Sequence, residues 1–93
     1  MDYTYIRDEK TKRRVLEHIN YFRYDELEDE FILCVDTSNL YMVKYIAETI
    51  ITKDDPVVLI NIIRMTYRCR PERCIDMNIN AYLFQLLAIY LIG

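Results

Sequence analysis

From Lys12 onward the apolar residues Val15, Leu16, Ile19 and Phe22 recur at the spacing of a helix stripe, with Lys12, Arg13, Arg14 and Glu17 on the other side. After Tyr24, Asp25 is placed to cap a second helix whose apolar stripe is Leu27, Phe31, Cys34 and Val35. Glu26, Glu28, Asp29 and Glu30 fall in its first turns, where the helix dipole favours carboxylates. Asp36-Thr37-Ser38-Asn39 is a run of cap-forming residues and reads as a turn. Behind it Met42, Val43, Ile46, Ala47 and Ile50 give the cleanest helical spacing in the chain.

Asp54-Asp55-Pro56 places a capping carboxylate directly before a proline, the order expected at a helix start, because proline at the first helical position gives up an amide that had no partner. From Val57 to Arg68 the apolar residues run nearly all round, which predicts a central helix. Its β-branched richness also suits a buried strand, but no other segment offers that strand a partner. Cys69-Arg70-Pro71-Glu72-Arg73-Cys74 breaks the regularity. Asn78 or Asn80 then caps a last helix, Ala81 to Ile92, with Leu83, Leu86, Leu87, Tyr90 and Leu91 on one face. The expectation is an all-α antiparallel bundle of five to six short helices, with no internal repeat and no linker. Leu16, Ile19, Leu27, Phe31, Val43, Ile46, Leu59, Ile62, Ile63, Leu83 and Leu86 are expected to meet in one core.

Composition narrows the picture. Ninety-three residues, 53% of them apolar, suffice for one domain, 1–93, with a real core. The single glycine is Gly93, so neither a phosphate-cradling glycine loop nor a set of tight hairpins can be written. Three cysteines, Cys34, Cys69 and Cys74, lack the density of a disulfide scaffold, and the N-terminal stretch has no apolar run, so a reducing, cytoplasmic setting is expected. Met77 to Gly93 carries no charge, yet falls short of the ~20 mostly apolar residues of a spanning helix. It is expected to be buried or interfacial, with no membrane span.

The net charge of −3 conceals segregation. Residues 1–14 carry net +2, residues 15–36 net −6, residues 37–55 net −1 and residues 56–93 net +2. Such a pattern suits docking to another charged protein surface better than catalysis. The candidate partner-binding residues are Asp25, Glu26, Glu28 and Asp29 on one face, and Lys12, Arg13, Arg14, Arg64 and Arg68 on others.

Other chemistries find less support. His18 with Cys34 or Cys69 is the one combination of base and nucleophile, but His18 lies beside one apolar stripe and Cys34 on another, so no enzyme is expected. Cys69 and Cys74 have four residues between them rather than two, without a second close pair for zinc, and the acidic run lacks the alternation and central glycine of a calcium loop. No metal or cofactor is expected. Arg64-Met65-Thr66-Tyr67-Arg68-Cys69-Arg70 interleaves arginines with an aromatic as a nucleic-acid groove does, but the overall acidity argues against that partner.

The order of features resembles the pyrin domain, a death-fold family of six-helix bundles of about this length. Members commonly open with leucine, two or three polar residues and leucine, then a short turn and a Glu-Glu-Leu start to the second helix. Val15-Leu16-Glu17-His18-Ile19-Asn20-Tyr21-Phe22-Arg23-Tyr24-Asp25-Glu26-Leu27 is similar position for position. Met77-Asn78-Ile79-Asn80-Ala81-Tyr82-Leu83, with Gln85-Leu86 beyond, is similar to the family's closing junction. Met42 to Ile50 takes the place of the family's fourth helix, and Pro56 to Tyr67 that of its fifth. Three departures stand out. Glu28, Asp29 and Glu30 follow Leu27 where the family is usually basic, the loop at Asp36–Leu40 is shortened, and Arg68 to Asp76 is an added stretch.

A chain that is a pyrin domain alone resembles the pyrin-only proteins, a class of small host regulators and poxvirus proteins; the tyrosine and isoleucine richness suits a virus with an A/T-biased genome. The resemblance implies a monomer in the host cytoplasm. It would dock to the pyrin domain of an inflammasome adaptor or sensor and so block filament growth and caspase-1 activation. A viral Bcl-2-like bundle is the competing all-α reading. So is an ankyrin-like module, since Asn39-Leu40-Tyr41-Met42-Val43-Lys44-Tyr45-Ile46 resembles the second helix of one ankyrin repeat.

Overall fold

In the computed structural model, which describes residues 3–92, the chain is helical throughout, with no strand among the described residues. Helices α1 (Tyr3–Asn20), α2 (Tyr24–Asp36), α3 (Leu40–Thr52), α4 (Pro56–Cys69) and α5 (Met77–Leu87) are joined by short connections. A 3-10 turn, Glu72–Cys74, leads into α5, and a π-helical turn, Ala88–Ile92, follows it. Each of the first three helices packs on the next and on the next but one, α3 reaching α5, while the π turn returns to α4.

The first three connections share one geometry. Phe22, Ser38 and Asp54 each sit in the left-handed region, at φ 56°, 54° and 57°. At each, the residue's own amide donates to a carbonyl three residues back and the following amide to one five residues back. The pairs are Phe22 to Ile19 with Arg23 to His18, Ser38 to Val35 with Asn39 to Cys34, and Asp54 to Ile51 with Asp55 to Ile50. This is the Schellman closure, which satisfies the orphan carbonyls of a helix end and normally takes glycine. The following residue, Arg23, Asn39 or Asp55, is already the N-cap of the next helix. The three left-handed residues are sixteen apart, so the structure repeats where the residue types do not.

Two caps are as the sequence predicts in kind. Asn39 Oδ1 accepts from the Met42 amide at 3.2 Å, and Asp55 Oδ1 from the Val58 amide at 3.3 Å with Pro56 at the first helical position. Two other expectations are corrected. Asp25 does not cap α2, which starts two residues earlier than such a cap would place it, at Tyr24 behind Arg23, and has no side-chain cap. Asp76, not Asn78 or Asn80, caps the last helix, its Oδ1 accepting from the amides of both Asn78 and Ile79, so that α5 begins at Met77 and ends as a π turn. The first helix also starts well before Lys12, and Phe22 lies beyond its end, 75% exposed.

The core gathers the apolar stripes of all five helices: Val15 and Ile19, Leu27, Phe31, Cys34 and Val35, Met42, Val43, Ile46 and Ile50, Leu59, Ile62 and Ile63, and Ile79, Leu83 and Leu86. One expected member is displaced. Leu16 is 41% exposed while Val15 is fully buried: the core-facing stripe of α1 runs through Val15 and Ile19, and a step of about 100° per residue turns Leu16 towards its edge. α4 is amphipathic rather than apolar all round: Val57 is exposed at its first turn, and Asn61, Arg64 and Arg68 continue that outer stripe. No helix among the described residues is long and apolar enough to cross a membrane.

Candidate functional site

The N-terminal half of α1 is held by polar contacts. Asp8 is nearly buried and accepts from the Asn39 side-chain amide at 3.0 Å, so one asparagine both caps α3 and ties α1 to it. The Lys12 ammonium bonds to the Tyr41 hydroxyl and to Glu9 Oε1, and lies 4.7 Å from the centre of the Tyr41 ring and 5.2 Å from that of Tyr45. These contacts hold the Lys12 ammonium above its ordinary pKa, the Tyr41 bond contributing most. Lys12 is therefore a clamp between α1 and α3, with its side chain only 19% exposed, and not a free docking charge.

Arg14 is also engaged. Its Nε donates to Glu30 Oε1 at 2.7 Å, joining the basic segment of α1 to the acidic segment of α2 within the chain. Arg13, Arg64 and Arg68 are exposed and form no ion pair among the described residues. Arg70, which the sequence reading left unassigned, grips Asp36 with Nε at 2.6 Å and Nη2 at 2.9 Å, pinning the end of α4 to the end of α2.

The α2 carboxylates stand apart from these pairs. Asp25, Glu26 and Asp29 are exposed, Glu28 is half-buried, and none of the four meets a cation among the described residues. Partial burial, then the neighbouring charges of Asp25 and Asp29, push the Glu28 carboxyl above its ordinary value of 4.5. A shallow cleft of about 360 Å³ between α1 and α2 is lined by Arg14, His18, Glu26, Asp29, Glu30 and Leu33. His18 Nδ1 and Glu30 Oε2 are buried beside it without hydrogen-bond partners among the described residues.

Cys34 sits in the core, and burial, reinforced by the charges of Glu30 and Asp8, pushes its thiol up to about 12. Cys69 and Cys74 are free and exposed. No group of three or more His, Cys, Asp or Glu side chains with metal-binding geometry occurs among the described residues. The arrangement thus offers charged and apolar surfaces for contact, with the acidic first turns of α2 the most concentrated of them. Comparison with known proteins finds no matching family model, no matching curated protein and no matching solved structure.

Proposed function

We propose that the protein is a docking module that engages a basic surface of another protein through Asp25, Glu26, Glu28 and Asp29. One observation carries this reading: four carboxylates in the first turns of one helix, none of them in an ion pair among the described residues, while Glu30 beside them is neutralised by Arg14. A mutually repelling cluster gains most when an outside cation reaches it. The partner class comes from the sequence resemblance: the pyrin domain of an inflammasome adaptor or sensor, whose occupation by a pyrin-only protein blocks assembly and caspase-1 activation in the host cytoplasm.

A second reading is favoured by the sixteen-residue recurrence of helix and turn, with packing onto nearest and next-nearest helices. That geometry suits an ankyrin-like helical-repeat module, which would use the same acidic face on a different partner.

The test is to carry Glu28→Lys and Asp29→Lys together in the full chain and measure binding to a panel of isolated pyrin domains, alongside caspase-1 activation in reconstituted cells. Reversal places like charge against the partner's basic surface, so binding should fall by orders of magnitude and the inhibition of caspase-1 with it, at unchanged helix content. Wild-type binding should also weaken as salt shortens the screening length, from ~30 Å at 0.01 M to ~3 Å at 1 M. Undiminished binding by the reversed protein would refute the acidic face. A wild-type protein that binds no pyrin domain would refute the partner class and leave the helical-repeat reading.

A further inference from the structure

On α4, across residues quite separate from the α2 carboxylates, Val57, Asn61, Arg64 and Arg68 follow one another at helical spacing along the outer side, all exposed. The π turn folds back against the first two turns of this helix and leaves a cleft of about 240 Å³ lined by Pro56, Val57, Ile60, Arg64, Tyr90 and Leu91. Apart from Asn61 and Arg64 its walls are apolar, and they are open to water: Val57 is 68% and Leu91 51% exposed. Cation and cleft adjoin, since Arg64 lines the rim and Arg68 lies one turn further on. Neither guanidinium has an ion pair among the described residues. The nearest acidic residue in sequence is Glu72, four residues beyond Arg68, and its Oε1 accepts from the Asn80 side-chain amide at 3.4 Å.

We propose that this cleft is a second docking site, and that its occupant is an acidic amphipathic helix of a partner protein. An apolar side chain of that helix enters between Val57 and Leu91, and carboxylates spaced one helical turn apart meet Arg64 and Arg68. The two arginines are four residues apart, about 6 Å along the axis, which is also the spacing of carboxylates at i and i+4 on a partner helix. Charge complementarity selects the sign of the partner. The concavity selects its shape: a cleft receives a protruding side chain, whereas a lipid surface is met by a convex apolar ridge.

The experiment presents the immobilised full-length protein with two pools of fifteen-residue helical peptides. Both carry Leu or Phe at i, i+3 and i+7; one has Glu and Asp at the remaining turns, the other Lys and Arg. The acidic pool should be enriched. Its best member should shift the backbone resonances of Val57, Asn61, Arg64 and Leu91 in an isotope-labelled sample. Arg64→Glu with Arg68→Glu should weaken it at least about tenfold at unchanged circular dichroism. Val57→Ser, which leaves the charge unchanged and removes only part of the apolar wall, should weaken it as well. The proposal is overturned if the basic pool or neither pool is retained, if the shifts fall elsewhere, or if the arginine reversals leave affinity unaltered. It is equally overturned if the cleft residues respond instead to phosphatidylserine vesicles, or to protein concentration in a sedimentation series, which would make the occupant a membrane or a second copy.

Discussion

Removing the Asn39 side chain should cost more than any other single exposed-to-half-buried change in the molecule, because two separate functions end in one amide. Its oxygen caps α3 on the Met42 amide, a contact whose loss to alanine typically costs ~1 kcal/mol. Its nitrogen donates to Asp8, which is only 8% exposed and whose other side-chain contact is Arg7 Nη2 at the long distance of 3.5 Å. Stranding a nearly buried carboxylate adds roughly 1–3 kcal/mol. Asn39→Ala should therefore lose about 2–4 kcal/mol, or about 10–25 °C in Tm for a domain of this length. Asn39→Asp separates the two contributions. Aspartate caps a helix as well as asparagine does, but it sets a second carboxylate against Asp8. The like charges raise the folded-state pKa of the pair, so stability is penalised at neutral pH and recovers as pH falls through the carboxylate range near 4. Urea unfolding at pH 7 and pH 4 measures both variants. An alanine variant within 0.5 kcal/mol of wild type on the order of ordinary surface changes, or an aspartate variant indifferent to pH, would refute the reasoning.

Two further outcomes follow from burial. Ile62→Ala, at a position only 2% exposed, should cost on the order of 2–5 kcal/mol, whereas Leu16→Ala should cost well under half as much; chemical denaturation of the pair decides whether Val15 or Leu16 faces the core. With its thiol pushed up to about 12, Cys34 should stay unlabelled by a maleimide at pH 8 in native protein while Cys69 and Cys74 react. Its labelling should appear only when the fold opens in denaturant, read by mass spectrometry.

The fold was legible wherever apolar periodicity and local capping coincide. The stripe Met42 to Ile50 and the Asp55–Pro56 start of α4 depend on neighbours within four residues, and both are present in the structure. The first turns of α1 were not legible, since Asp8, Thr11 and Lys12 are held by Asn39, Arg14 and Tyr41, partners that no periodicity marks. The cap at Asp76 was signalled by an acidic residue just before an apolar run, and asparagines two and four positions on competed for the same role. For the candidate site, the exposure of Asp25, Glu26 and Asp29 follows from the charge pattern. That Lys12 and Arg14 are consumed inside the molecule does not, because α2 and α3 lie too far along the chain for spacing to reveal them.

The recurrence of one helix-and-turn step bears on how fast the chain reaches its structure. Each of the first three helices meets chiefly the next and the next but one, so most loops that must close are short, and the entropy of closure grows only with the logarithm of their length. Low contact order of this kind belongs to chains that fold in microseconds to milliseconds. Bulkier residues at Phe22, Ser38 and Asp54 also sample fewer unfolded conformations than glycine would, so part of the strain held in the native turns is offset by a smaller search. A chain with its only glycine at position 93 thus reaches sharp turns by a stiff route rather than a pliant one.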